Sequence, residues 1–402
     1  MIKLGCFDAG VSDTVCKAYL KQVEALTRVA LGEVAPGLDK LALEAYAPDG
    51  PQSMRIAEVQ QALRAIGFFP GGRVDGICGY RTRSAMRLFQ EYVRSVEKLV
   101  CIPDGRFGPA SQQHLLRWLD GQLKPDWAPA IEQWRTGAPA QTEYAEWLAL
   151  LGRVKEHCAA SPDRMLQLVN AFSGATDTRR VAQWDFTPAG NTHLIGIRRN
   201  EMSGKFDDIF VLLIKGLVFK FQGSTEPGAT QDARGLPFLV RGQHDYHFGW
   251  HQRKYLALRP QGKGVLVVRS RNNKQLDDAD LANGLEANAS INIHWGGKGM
   301  TRDVNSWSEG CQVINGSVYL NPNDELVDCS AFSATNNDEV AADASKTRGA
   351  YNLLQDLVTA LASDLAPTVK YTLLAEADLA SSPALRQRLA DARARVGKLL
   401  GG

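Results

Sequence analysis

Two residue types that together can make a strong nucleophile stand close in the C-terminal half: His294 and Cys311, with Ser308 and Gly310 just before the cysteine. A free thiol, with a reference pKa of about 8.5, is only slightly ionised at neutral pH. A neighbouring imidazole takes its proton, or holds the thiolate as an ion pair, and so activates it. Gly310 lets the backbone turn tightly before the nucleophile, so amides around Gly310 and Cys311 are expected to face a developing oxyanion. Loss of one such donor raises a barrier by about 3 kcal/mol. By spacing alone, a histidine and a cysteine seventeen residues apart are better read as a loop imidazole and a buried thiol.

A second constellation competes with the first. In HDYHFGWHQRK, His244, Asp245, His247 and His251 offer ligands for zinc, which would make the chain a metallopeptidase. The spacing is not the helical HExxH arrangement, and the segment reads as a surface loop. If the thiol does the chemistry, no cofactor is required; His251, Trp250 and Tyr255 then wall a groove leading to Cys311. Trp295 and Trp307 flank the pair, placed to stack on a sugar or to shield the thiolate from water. Core packing is the alternative for each of these aromatics.

The elements that must position these groups follow from periodicity. Residues 1 to about 50 alternate at helical spacing (Tyr19, Val23, Leu26; then Leu38, Leu41, Leu43). A helix resumes at Ile56, carries Val59, Leu63 and Ile66 on one face, and stops at Gly67; another runs from Thr82 to Val93. Asp75-Gly76-Ile77-Cys78-Gly79 is echoed by Asp104-Gly105-Arg106-Phe107-Gly108, each leading into a helix. Asp-Gly suits a tight turn, because glycine tolerates positive φ and aspartate caps local amides. A helical region follows (Thr142 to His157), after prolines 125, 129 and 139. From Thr192 the period is that of strands: HLIGIRR, DIFVLLIKGLVFKFQG, then Lys254–Leu258, Val265–Ser270 and Ser290–His294. A helix from Ala350 to Asp364, the strand VKYTLLAE and an amphipathic basic end-helix from Ser381 close the chain.

With 402 residues, 44% hydrophobic and 22% charged, the chain is an ordinary globular protein of two or three domains. Its 46 basic and 44 acidic residues leave a net charge of +2, which gives nucleic-acid binding no support. No apolar run is long enough for a signal-peptide core or a membrane-spanning helix, so the expectation is cytoplasmic synthesis without membrane insertion. The seven cysteines (Cys6, Cys16, Cys78, Cys101, Cys158, Cys311, Cys329) are scattered and include no CxxC. Neither a disulfide framework nor a zinc ribbon is expected.

Two resemblances sharpen the reading. VQQALRAIGFFPGGRVDGICGYRTRSAMRLFQ resembles the peptidoglycan-binding domain appended to many cell-wall enzymes, departing from it at Cys78, where a larger apolar residue is usual. INIHWGGKGMTRDVNSWSEGCQVI resembles the catalytic motif of the L,D-transpeptidase (YkuD-like) family: a strand-borne histidine, a loop, then Ser-x-Gly-Cys, matched by His294, Ser308, Gly310 and Cys311. The resemblance implies a thiol attack on the peptidoglycan stem, at the diamino acid in position three, with passage of the acyl group to an amine or to water. Glu309 stands where the family often has histidine. Gln312-Val313-Ile314 follows the cysteine where the family carries an arginine two places on. Gln312 is counted with the substrate contacts, and the missing arginine favours cleavage as an L,D-carboxypeptidase or endopeptidase over cross-linking.

The expected fold is α+β: a small helical peptidoglycan-binding module, then a β-rich, sandwich- or barrel-like L,D-transpeptidase-like catalytic domain with flanking helices. The expected boundaries are a helical N-terminal segment (1–54), the binding module (55–120), a helical linker region (121–184), the catalytic domain (185–378) and a helical tail (379–402). The expected partner is peptidoglycan, reached in the periplasm after delivery by phage or type VI secretion components. The alternatives are a zinc-dependent peptidase using His244, His247 and His251, and a non-catalytic wall-binding protein.

Overall fold

The structure, a computed structural model, describes all residues except 29–41, 51, 138–141, 188–191, 200–203, 229–231, 253, 272–275, 300–302, 305–306, 363–366 and 401–402. It is a mixed α+β fold. The N-terminal part holds β1 (Cys6–Asp8), α1 (Asp13–Arg28), β2 (Glu44–Tyr46), α2 (Ile56–Ala65), α3 (Tyr80–Ser95) and α4 (Pro109–Asp120). The first fifty residues are thus not helical throughout: β1 and β2 pair in parallel on either side of α1. The leucines expected at 38 and 41 lie outside the described residues. Asp8, at the end of β1, caps α2 by accepting from the amides of Ile56 and Ala57 (2.8 and 2.9 Å).

The internal echo is a structural repeat, and a buried glutamine holds each copy. Gln60 accepts from the amides of Asp75 and Gly76 and donates to Asp75, Ile77 O and Thr82, all at 2.9–3.0 Å. Gln90 repeats this one unit later. It accepts from Gly105 N (2.9 Å) and donates to Arg106 O (2.7 Å) and Ser111 Oγ (3.0 Å). Gly76 and Gly105 take φ of 72° and 75°, the turn conformation the Asp-Gly pairs predict. Gln60→Leu conserves shape but strands two amides and a carbonyl in the interior, so we expect it to cost about 3 kcal/mol. Urea unfolding of the two proteins measures this directly.

Three helices follow, α5 (Ala128–Thr136), α6 (Thr142–Ala160) and α7 (Arg164–Phe172), and then the strands β3 (Thr192–Arg198), β4 (Asp208–Ile214), β5 (Leu217–Ser224), β6 (Leu236–Leu239), β7 (Gly242–His251), β8 (Tyr255–Pro260) and β9 (Val265–Ser270). The C-terminal third adds α8 (Asp278–Ala282), β10 (Glu286–Asn288), β11 (Ile293–Trp295), β12 (Gln312–Leu320), β13 (Leu326–Asp328), α9 (Asn337–Ala342), α10 (Ala350–Leu361), β14 (Val369–Ala375) and α11 (Pro383–Leu400). Eight strands close into a barrel in the order β11-β8-β7-β14-β3-β4-β5-β12, and the parallel β11–β12 pair makes the seam. A separate sheet, β10-β9-β6, lies beside the seam.

The strands were legible because both of their faces are covered. Leu194, Phe210, Leu212, Phe219 and Tyr371 share one core with α10 and the N-terminal helices. The alternate residues Ile195, Val211, Leu213 and Val218 pack on Trp147 and Leu150 of α6 and on Leu385 and Leu389 of α11. Continuous apolar runs such as IFVLLI are the mark of strands buried on two sides. The region expected as a linker therefore builds core, and the expected tail helix packs. Lys215 and Gly216, both at positive φ, form the two-residue turn joining β4 to β5.

The N-terminal helices and the barrel share a boundary without a gap. α3 lies along α10, with the buried pair Arg87–Asp356 (2.5 Å) between them. Tyr319 of β12 donates to Glu91 of α3 (2.8 Å), and Trp127 packs edge-on against Phe219.

Candidate active site

The seam places the two candidate groups on neighbouring strands. Ile293 pairs with Gln312 and His294 with Val313, so Cys311 stands beside Asn292, with His294 one same-face step further along. The segment largely alternates: Ile293 and Trp295 are buried in the core, while Ser290, Asn292 and His294, with the buried Ile291, border a cavity of about 850 Å³ between the seam and the β10-β9-β6 sheet. Cys311, His251, Trp307 and Arg259 line the same cavity.

The thiol is half-buried and held by backbone. It donates to Ser290 O and accepts from the amide of Asn292, both at 3.3 Å. No hydrogen bond among the described residues links it to His294. Burial pushes the thiol up to about 11, against the Asn292 amide and the Arg259 charge, which favour the thiolate. His294 Nδ1 lies 2.9 Å from Trp295 O, and a carbonyl only accepts. The proton therefore sits on Nδ1 and the lone pair on Nε2. Burial pushes this ring down to about 4, against the carbonyls of Trp295 and Trp307, which favour its charged form. At neutral pH the pair rests as thiol and neutral imidazole rather than as an ion pair. Alkylation of Cys311 by iodoacetamide, followed by mass spectrometry of its peptide, should therefore keep accelerating as pH rises toward about 11. A rate that levels off near pH 7 would contradict this.

Ser308 and Gly310 shape the turn before Cys311. Ser308 Oγ accepts from Gly310 N (3.1 Å) and donates to Cys311 O (2.7 Å). The Gly310 amide is thus occupied and does not face an oxyanion, contrary to the expectation from sequence. The Cys311 amide has no acceptor among the described residues and remains the donor at this turn.

The expected substrate contacts divide. His251 and Trp307 line the cavity. His251 stacks on His294 (ring centroids 4.3 Å apart), and its Nδ1 lies 3.0 Å from Asn292 Nδ2. Tyr255 and Trp295 stand behind the imidazole rather than in the cavity: the Tyr255 hydroxyl reaches His294 Nδ1 at 3.5 Å, and Trp295 is fully buried. Trp250 does not line the cavity. Gln312 turns the opposite way, into the barrel, where its amide donates to Thr225 O and Gly310 O and accepts from Tyr371 (2.9 Å). It supports the turn before Cys311 from behind.

The three histidines suggested for zinc do not converge. The segment is the buried strand β7 rather than a surface loop, and alternation sends His244 to the face opposite His247 and His251. His244 is held between Thr178 Oγ1 and Val240 O, both at 3.0 Å. Asp245 pairs with Arg179 (2.9 Å). Among the described residues no group of three metal-binding side chains is close enough to hold an ion.

Asn292 and Arg259 were not singled out from sequence. The first was detectable, since INIHW places every second residue on one face; the second comes from β8 and carries no local signal. No family model matches the chain, and no curated protein or solved structure is detectably similar to it. No helix among the described residues is long and apolar enough to cross a membrane.

Proposed function

We propose that the chain is a peptidoglycan-active cysteine enzyme in which Cys311 attacks a stem-peptide carbonyl with His294 as base. What supports this most is the partly exposed thiol in a polar cleft, with an amide on its sulfur and a neutral imidazole on the adjacent strand. The likeness of His294, Ser308, Gly310 and Cys311 to the L,D-transpeptidase motif supplies the substrate class, and the Asp-Gly repeat supplies a binding module. In the proposed step Sγ bonds to the carbonyl carbon while the thiol proton passes to His294 Nε2. The imidazolium returns that proton to the departing amine, leaving a thioester. Water then releases the acyl group, or a second amine takes it. A short-lived contact between Nε2 and Sγ is enough, because catalytic hydrogen bonds are often long before substrate binds.

The reading gives cleavage precedence over cross-linking, since Gln312 is buried and no arginine follows it in the family's place. The substrate lies outside the inner membrane, so the proposed place of action is the periplasm. Purified sacculi incubated with the protein, with and without a chelator, and resolved by mass spectrometry form the test. Chelator-resistant stem-peptide products support the thiol reading. Products lost with chelator support a metallopeptidase. Co-sedimentation without any product leaves a wall-binding protein.

A further inference from the structure

The charges of the cleft fall into two groups. Asp232, Arg234, Arg269 and Glu286 form one network of ion pairs at 2.6–3.4 Å. Arg259 and Glu309 line the same cavity and act on the thiol, the first favouring the thiolate and the second opposing it.

Register puts Arg259 in line with the nucleophile. Leu258 pairs with Ile293, and Ile293 with Gln312. One step along, Arg259, Asn292 and Cys311 therefore stand abreast on three adjacent strands and project to one face. Two strand spacings separate the outer pair, about 10 Å between backbones, and both residues line the one cavity. A hydrogen bond of 2.5 Å from Arg259 to Trp250 O holds its guanidinium on the β7 side of the cavity that it shares with Cys311. Between them, Asn292 Oδ1 is buried at the cavity wall with no partner among the described residues. A cation, an open acceptor and a thiol in one row match a peptide end that offers a carboxylate, an N–H and a carbonyl in that order.

We propose that Arg259 is the specificity residue of the site: it takes the terminal carboxylate of the residue leaving from the carbonyl that Cys311 attacks, while Asn292 Oδ1 takes that residue's N–H. The assignment rests on the thiol reading of the cleft. It makes the enzyme a carboxypeptidase, selecting chain ends over internal bonds, because an internal bond presents no carboxylate to the guanidinium.

Two small alkylating agents test the row without a peptide. Iodoacetate and iodoacetamide both form a C–S bond at Cys311 with loss of iodide, the thiol proton going to solvent, but only iodoacetate carries a carboxylate beside the reacting carbon. The ratio of their rates, read on the Cys311 peptide by mass spectrometry, cancels differences in thiol ionisation. The full-length protein should show a ratio about tenfold above that of Arg259→Gln, with Arg259→Lys in between and Glu309→Gln at or above wild type. Equal ratios in wild type and Arg259→Gln overturn the proposal. If Arg259→Gln does not fold, the wild-type ratio alone decides: it must fall several-fold between low and high salt, and a ratio indifferent to salt overturns it equally. A protein that keeps the ratio but releases nothing from sacculi removes the peptidoglycan reading and leaves Arg259 its carboxylate. Sacculus products with an unchanged ratio do the reverse.

Discussion

Cys311→Ala should abolish stem-peptide release from sacculi, by at least about 10⁴-fold, while leaving sacculus binding unchanged. The magnitude follows from what the thiol does: without it no covalent intermediate forms, and what remains is positioning alone. The fold should tolerate the change, since the sulfur is half-buried and its two hydrogen bonds are weak contacts of 3.3 Å with backbone. Unaltered thermal unfolding is thus part of the expected result. Muropeptide release and co-sedimentation measured on the same preparation separate chemistry from recognition. Activity surviving in the alanine variant would move the chemistry away from Cys311 altogether.

The second large effect is expected at Gly310, which sits at φ 130°, a conformation L-residues rarely adopt. A Cβ there would lie 2.6 Å from the Pro237 ring, 2.8 Å from Pro237 O and 2.9 Å from Ile291 Cδ1. The carbonyl is backbone of β6 and has little room to give way. Gly310→Ala must therefore move the turn, breaking the Ser308 contacts with the Gly310 amide and the Cys311 carbonyl. We expect a loss of 10²-fold or more in turnover, about the effect of removing an oxyanion donor, together with about 2 kcal/mol of stability. Turnover on sacculi and urea unfolding report the two consequences separately. Ser308→Ala, which removes the bridge without adding bulk, should fall between this variant and wild type.

Sequence carried much of the scaffold and only half of the site. The doubly covered strand β4 announces itself as an unbroken apolar run, β3, β5 and β14 as short stretches rich in branched and aromatic residues, and α2, α3, α6 and α10 as helical stripes. β7 does not, because its buried faces hold His244, Gln243 and His247 where apolar residues would be expected; polar partners such as Thr178 come from distant segments. β12 is disguised by Asn315-Gly316-Ser317, which reads as a turn. In the structure these residues form an irregularity within the strand, between Ile314 and Tyr319, with Ser317 N bonded to Asn315 Oδ1 (2.7 Å). In the site, local pattern exposes His294 and Cys311. It cannot say that Gln312 points away from the cleft, that the Gly310 amide is engaged, or that Arg259 arrives beside them, since each depends on which strands become neighbours.

The common boundary of α3 and α10 bears on how the molecule comes apart. Arg87 and Asp356 are buried against each other within an apolar contact in which Leu88 and Phe89 of α3 share one core with Leu354 and Leu357 of α10, so separating the N-terminal helices from the barrel would expose that apolar surface to water. The N-terminal helices are accordingly no detachable unit that could be trimmed away to leave the barrel intact. We expect heat or denaturant to unfold the helices and the barrel in one transition, and a truncation at residue 120 would take Glu91 away from Tyr319 while leaving Trp127 on Phe219.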